Sequence, residues 1–138
     1  MKKENFLQEA LMKNKITESE FQEIVQRRSS GAINFAEFLE ELSQRGINEY
    51  DIEVATGQAT YKGVYSEFKT DSQVSLVVAD KFDRNKVMEA IANISLPFLD
   101  FLKEIAEAGI VFYRVDIAEK KVTYFGAEDE TIEEELKL

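Results

Sequence analysis

Apolar residues recur at helical spacing over residues 35–42 (Phe35, Phe38, Leu39, Leu42) and again over 98–105 (Phe98, Phe101, Leu102, Ile105). One stripe every 3.6 residues predicts a helix with one buried side. Each stretch runs into a glycine, Gly46 or Gly109, of the kind that closes helices in the left-handed conformation. The period then drops to two. Tyr50, Ile52 and Val54 alternate with Asp51 and Glu53, and Tyr113, Val115 and Ile117 alternate with Arg114 and Asp116. Alternation of this kind predicts a strand with one dry and one wet face. Thr56–Gly57 and Glu119–Lys120 are the turn candidates. Return strands run through Ala59 and Tyr61, and through Val122 and Tyr124.

The two stretches are copies. Residues 33–63 align with 96–126 at a constant offset of 63, without a gap, and 11 of 31 positions are identical. They include Phe35/Phe98, Gly46/Gly109, Tyr50/Tyr113, Tyr61/Tyr124 and Gly63/Gly126. An internal repeat sets the architecture before any local detail does. The expected fold is α+β: a tandem duplication of helix–helix–β-hairpin units, about 17–79 and 80–138, sharing one antiparallel sheet covered by helices. Neither half can bury enough apolar surface alone, so residues 1–138 are expected to form a single domain.

The flanking segments are read less directly. Residues 4–14 have helical spacing through Phe6, Leu7, Ala10 and Leu11. Thr17 and Glu20 form a capping box that opens a helix carrying Phe21, Ile24 and Val25. Asn34 with Glu37 can cap the next helix, and Pro97 suits the first turn of its copy. Val64–Ser66 can prolong the first hairpin, and Val74–Ala79 (VSLVVA) reads as a strand. Asp80 is the expected cap of a helix with Phe82, Val87, Met88 and Ile91. Residues 127–138 hold six acids and one lysine, and are either a last strand or an acidic tail.

Composition narrows the chemistry. The chain has no Cys and no His, so thiol–imidazole and serine–histidine catalysis are absent, and zinc loses its usual ligands. No cofactor or metal is expected, and no catalytic residue is assigned. Lack of Cys also removes any disulfide framework, and no apolar run is long enough to span a membrane, which together suggest a cytoplasmic location. The net charge of −10 opposes nucleic-acid binding and suits a basic protein partner or self-association. Residues 29–42 (SSGAINFAEFLEEL) match the second half of a calcium loop, with Gly31 and Glu37 in place. Gln26 and Arg28 stand where oxygen ligands are needed, so the match reads as a capped helix.

The residues left for a ligand site are Tyr50, Tyr61, Tyr113 and Tyr124, paired by the repeat. They either pack the helices on the sheet or line a pseudo-symmetric pocket together with nearby carboxylates. The pattern F-x-x-[FY]-[LI]-x-x-[LI]-x-x-x-G-[IV]-x-x-Y, followed by Y-x-G, is carried by Phe35, Phe38, Leu39, Gly46, Ile47, Tyr50, Tyr61 and Gly63. Phe98, Phe101, Leu102, Gly109, Ile110, Val115, Tyr124 and Gly126 carry it in the second copy. It resembles the YbcV-like family, small bacterial and prophage-associated proteins with no assigned function, sometimes labelled phage envelope protein. Ala36 departs from a frequent proline of that family, and the second copy lacks its occasional cysteine. The resemblance implies no catalytic or cofactor residues. The resulting expectation is a non-catalytic protein-interaction or regulatory module of prophage-associated type. The alternative is a small-ligand binder or enzyme built on the four tyrosines. A closed, filled core would favour the first, and an open cleft with inward acids the second.

Overall fold

The computed structural model describes residues 15–93 and 95–136. Helix α1 spans Glu18–Ser29 and α2 spans Phe35–Gln44. Strands β1 (Ile47–Glu53), β2 (Ala59–Gly63) and β3 (Glu67–Lys69) follow. The second half repeats the order with α3 (Arg84–Ala92), α4 (Phe98–Glu107), β4 (Ile110–Asp116), β5 (Lys121–Gly126) and β6 (Thr131–Glu135). The six strands form one antiparallel sheet in the order β3-β2-β1-β4-β5-β6. This is an α+β protein whose two halves repeat one topology, as the duplication leads one to expect.

Local chemistry fixes the helix starts. Thr17 accepts from the Glu20 N–H, and the Glu20 carboxylate accepts from the Thr17 N–H. Asn34 and Glu37 do the same for α2. Each box satisfies two N–H groups that a helix start leaves open. Arg45 also donates to Glu20, and these bonds hold the Glu20 carboxyl at about 2, Arg45 contributing most. Gly46 and Gly109 end α2 and α4 with φ of +84° and +86°, a region that residues with a Cβ enter at a cost.

Strand alternation builds the core. Tyr50, Ile52 and Val54 of the first half, and Tyr113, Val115 and Ile117 of the second, are buried with Phe38, Leu39, Leu42, Leu102 and Ile105 from the helices. The opposite face of the sheet carries the charged partners. At its centre Arg114 donates to both oxygens of Asp51, at 2.8 and 3.1 Å, and Lys62 donates to Asp51 at 3.0 Å. Partial burial raises the Asp51 pKa, but these bonds outweigh it and hold the carboxyl below its ordinary value. Asp51 and Arg114 face each other in the β1–β4 register and are 63 residues apart, so they are the same position of the two repeats.

The structure corrects several local readings. Val74–Ala79 is not a strand. Beside β2 the ladder is occupied by β3, and residues 73–79 cross the molecule as an irregular connection. The N–H groups of Gln73 and Val74 reach the Thr56 carbonyl, Leu76 reaches Ala55, and Ala79 reaches Ala106. Val74, Leu76 and Val78 pack on the core, while Val77 is 91% exposed. Its alternation comes from lying along the core, without a partner strand. The cap of α3 is Asp83, which accepts from the Lys86 N–H, so Phe82 precedes the helix. Pro97 stands at the N-cap of α4 and makes no side-chain cap. Residues 131–135 of the acidic C-terminal segment form β6, with Ile132 buried. The helix expected at 4–14 lies outside the described residues.

Candidate functional site

The four tyrosines lie in one row on the helix-facing side of the sheet. Tyr61 on β2 pairs directly with Tyr50 on β1, and Tyr113 on β4 pairs with Tyr124 on β5. Ring centroids are 4.7 Å apart in the first pair and 5.3 Å in the second. Tyr50 faces Val115 and Tyr113 faces Ile52, so the two pairs meet diagonally across β1 and β4. Repeat-related phenylalanines hold the row from the helices. Phe38 stands edge-on to Tyr61 at 6.2 Å, and Phe101 stands edge-on to Tyr113 at 6.0 Å and to Tyr124 at 6.2 Å.

The symmetry stops above this layer. In the first half Phe21 fills the space over Tyr61, with centroids 4.9 Å apart, and stacks on Phe68 at 4.6 Å. Counted from the helix caps Thr17 and Asp83, the matching residue of α3 is Val87, which is buried as Phe21 is but is far smaller. Helix α3 carries no aromatic ring to match Phe21. A cleft of about 610 Å³ opens between helices and sheet, and all four tyrosines line it. Phenylalanine rings and aliphatic side chains supply most of the remaining wall. Arg28 and Glu134 are its charged members.

The hydroxyls define the chemistry of the cleft. Tyr124 donates to Glu134 Oε1 at 2.7 Å. Among the described residues, Tyr50, Tyr61 and Tyr113 make no side-chain hydrogen bond, although their residues are only 6–8% exposed. Burial pushes all four phenol pKa values up. For Tyr50 the phenols of Tyr61, Tyr113 and Tyr124 add to burial, and Arg28 opposes it. For Tyr124 the Glu134 charge is the second cause. A tyrosine acting as base or nucleophile needs a lowered pKa. These four shift the other way, so the row offers neutral hydrogen-bonding groups.

The other residues singled out from the sequence have structural partners. Glu37 is folded onto its capping box, and its Oε1 accepts from the Asn34 N–H. Asp51 is engaged by Arg114 and Lys62, Glu53 accepts from Thr56, and Asp116 accepts from the Glu119 N–H in the hairpin turn. Tyr65 is largely exposed, away from the row. Two cleft residues escaped the sequence reading, Arg28 and Glu134. Glu134 had a signal: it shares the strand face of buried Ile132, two residues away. On the far side of the sheet Phe112 and Phe125 stack at 4.3 Å, with the Arg114 guanidinium 5.9 and 5.8 Å from their rings.

Fold and cleft together define a class: a duplicated α+β sheet protein with an aromatic cleft under its helices. A family profile described as "Protein of unknown function (DUF1398)" matches residues 12–135, and the chain belongs to that family. No curated protein matches it. No helix among the described residues is long and apolar enough to cross a membrane.

Proposed function

We propose that the cleft over the tyrosine row binds a small, largely apolar molecule bearing hydrogen-bonding groups, and that binding rather than catalysis is the role of this protein. One observation carries the reading: the hydroxyls of Tyr50, Tyr61 and Tyr113, which make no side-chain hydrogen bond among the described residues, border the same cleft. None of these hydroxyls is both fully buried and unpaired, so they are accessible from the cleft and free to bond what enters it, as a phenylalanine would not be. A ligand with hydrogen-bonding groups can pair with them while its apolar body rests on the rings. The volume fits a small-molecule site, and the raised phenol pKa values argue against a reactive centre.

A neutral fluorescent probe, N-phenyl-1-naphthylamine, tests this. One molecule per chain is expected to bind with enhanced emission. Val25, half-buried on α1, lines the cleft, so Val25→Trp should weaken binding by about tenfold or more while the far-ultraviolet circular dichroism stays unchanged. Loss of one well-packed apolar contact region is worth that much. A wild-type protein that leaves the probe dark, or a Val25→Trp protein that binds it unchanged, contradicts the proposal.

A second reading, a cytoplasmic, prophage-associated interaction module using its acidic surface, draws support from β6. This strand forms an edge of the sheet and presents exposed Glu133 and Glu135. This is compatible with a basic partner. Glu134 does not belong to that surface, because it turns inward to Tyr124. A lysine-rich peptide should shift β6 amide resonances, and the shifts should fade with added salt, since exposed charges are screened beyond about 8–10 Å. They should also vanish in Glu133→Lys, Glu135→Lys protein. Shifts indifferent to both changes would rule this reading out.

A further inference from the structure

We infer that the cleft selects a protonated amine attached to an apolar body. This rests on the cleft being a ligand site, and it adds the sign of the ligand's charge. Glu134 is the carboxylate of the wall, half-buried on β6. Tyr124 has already committed its proton to Glu134, so the phenol oxygen of Tyr124 is left as an acceptor. A protonated amine beside them donates to the carboxylate in a charge-assisted bond, the stronger kind in a poorly solvated site. The hydroxyls of Tyr50, Tyr61 and Tyr113 can each accept as well as donate. The surrounding rings offer electron-rich faces that attract organic cations.

The counter-argument is Arg28, which also lines the cleft and would favour an anion. It is exposed on α1, with its guanidinium 5.7 Å from the Phe35 ring. A charge in solvent contributes a screened potential, whereas Glu134 acts from within the wall. No described cation forms an ion pair with Glu134. The net charge of −10 further concentrates cations near the surface.

Three probes share one apolar body and differ in the head group: phenethylamine, 2-phenylethanol and phenylacetate. Each is titrated at neutral pH into the full chain, followed by the tyrosine ring resonances and the methyl resonances of Val122 and Leu136. Phenethylamine should bind about tenfold more tightly than 2-phenylethanol, the difference one charge-assisted hydrogen bond provides. Phenylacetate should bind most weakly. Glu134→Gln should bring the amine to the level of the alcohol. Arg28→Gln should preserve the order of the three. Phenylacetate binding best, or an amine advantage that survives Glu134→Gln, overturns the inference. Equal binding of amine and alcohol to the unaltered protein overturns it too, while leaving the cleft a ligand site. Probes that move none of these resonances overturn both readings.

Discussion

Replacing Phe21 with alanine is expected to destabilise the protein by about 3–5 kcal/mol, the range for deleting a buried aromatic ring. Phe21 has no exposed surface. It lies on α1, stacked on Phe68 and edge-on to Tyr61. Three elements depend on that contact. Strand β3 is only three residues long, and Phe68 is its half-buried anchor. Helix α1 holds to the sheet through Phe21 and Ile24, the buried residues of its span. Tyr61 would lose the ring that separates its end of the row from solvent. Domains of this size are stable by roughly 5–15 kcal/mol, so the change would remove a large share of the total. Urea unfolding should show a much lower midpoint, while exposed Val64→Ala shifts it by no more than about 0.5 kcal/mol equivalent. A Phe21→Ala midpoint as close to wild type as that of Val64→Ala would mean the ring is not the keystone of the first half.

The second large effect separates two glycines that the sequence makes look equivalent. Gly46→Ala should cost about 1–2 kcal/mol, the price of a left-handed conformation for a residue with a Cβ. No atom lies within 4 Å of the added carbon there. Gly109→Ala should cost markedly more. Its Cβ would sit 2.5 Å from the Lys81 carbonyl oxygen and 2.9 Å from the Lys81 carbonyl carbon. The obstacle is backbone, tied down by hydrogen bonds from Ala79 to Ala106 and from Asp83 to Ala108. Moving it means detaching residues 79–83 from the end of α4. Thermal unfolding of the two variants should therefore give clearly unequal shifts, with Gly109→Ala the lower. Equal shifts would show that the connection yields freely.

These contrasts mark what the sequence could disclose. The helix–helix–hairpin unit was legible because two signals agreed in both copies, an apolar stripe ending in glycine and the period of two that follows it. The tyrosine row followed from the same alternation, since Tyr50, Tyr61, Tyr113 and Tyr124 all fall on the apolar phase. What escaped depended on contacts between distant segments. VSLVVA has the composition of a strand, but strand formation needs a free neighbouring edge, and β3 holds the one beside β2. Asp80 and Asp83 are both plausible caps, and only the approach of Asp83 to the Ala108 carbonyl settles the start of α3. The halves also differ in their first helices, because Val87 of α3 stands, counted from the caps, where α1 has Phe21. Repeat identity highlights shared residues and so passes over this difference. Glu134 was hidden among neighbouring acids until strand pairing gave it an inward direction.

The ion pair at the middle of the sheet has a consequence for assembly. Asp51 and Arg114 hold one position in the two repeats, and β1 and β4 meet antiparallel with these residues opposite each other. In that register, two copies of β1 would bring Asp51 against Asp51, and two copies of β4 would bring Arg114 against Arg114. Both like-with-like joints carry repulsion at their centre, and only the unlike joint gains a two-pronged ion pair. During folding in a crowded solution, first halves of different molecules are thus discouraged from zipping together at this seam, as are second halves. The seam distinguishes left half from right, a discrimination that two identical repeats would lack.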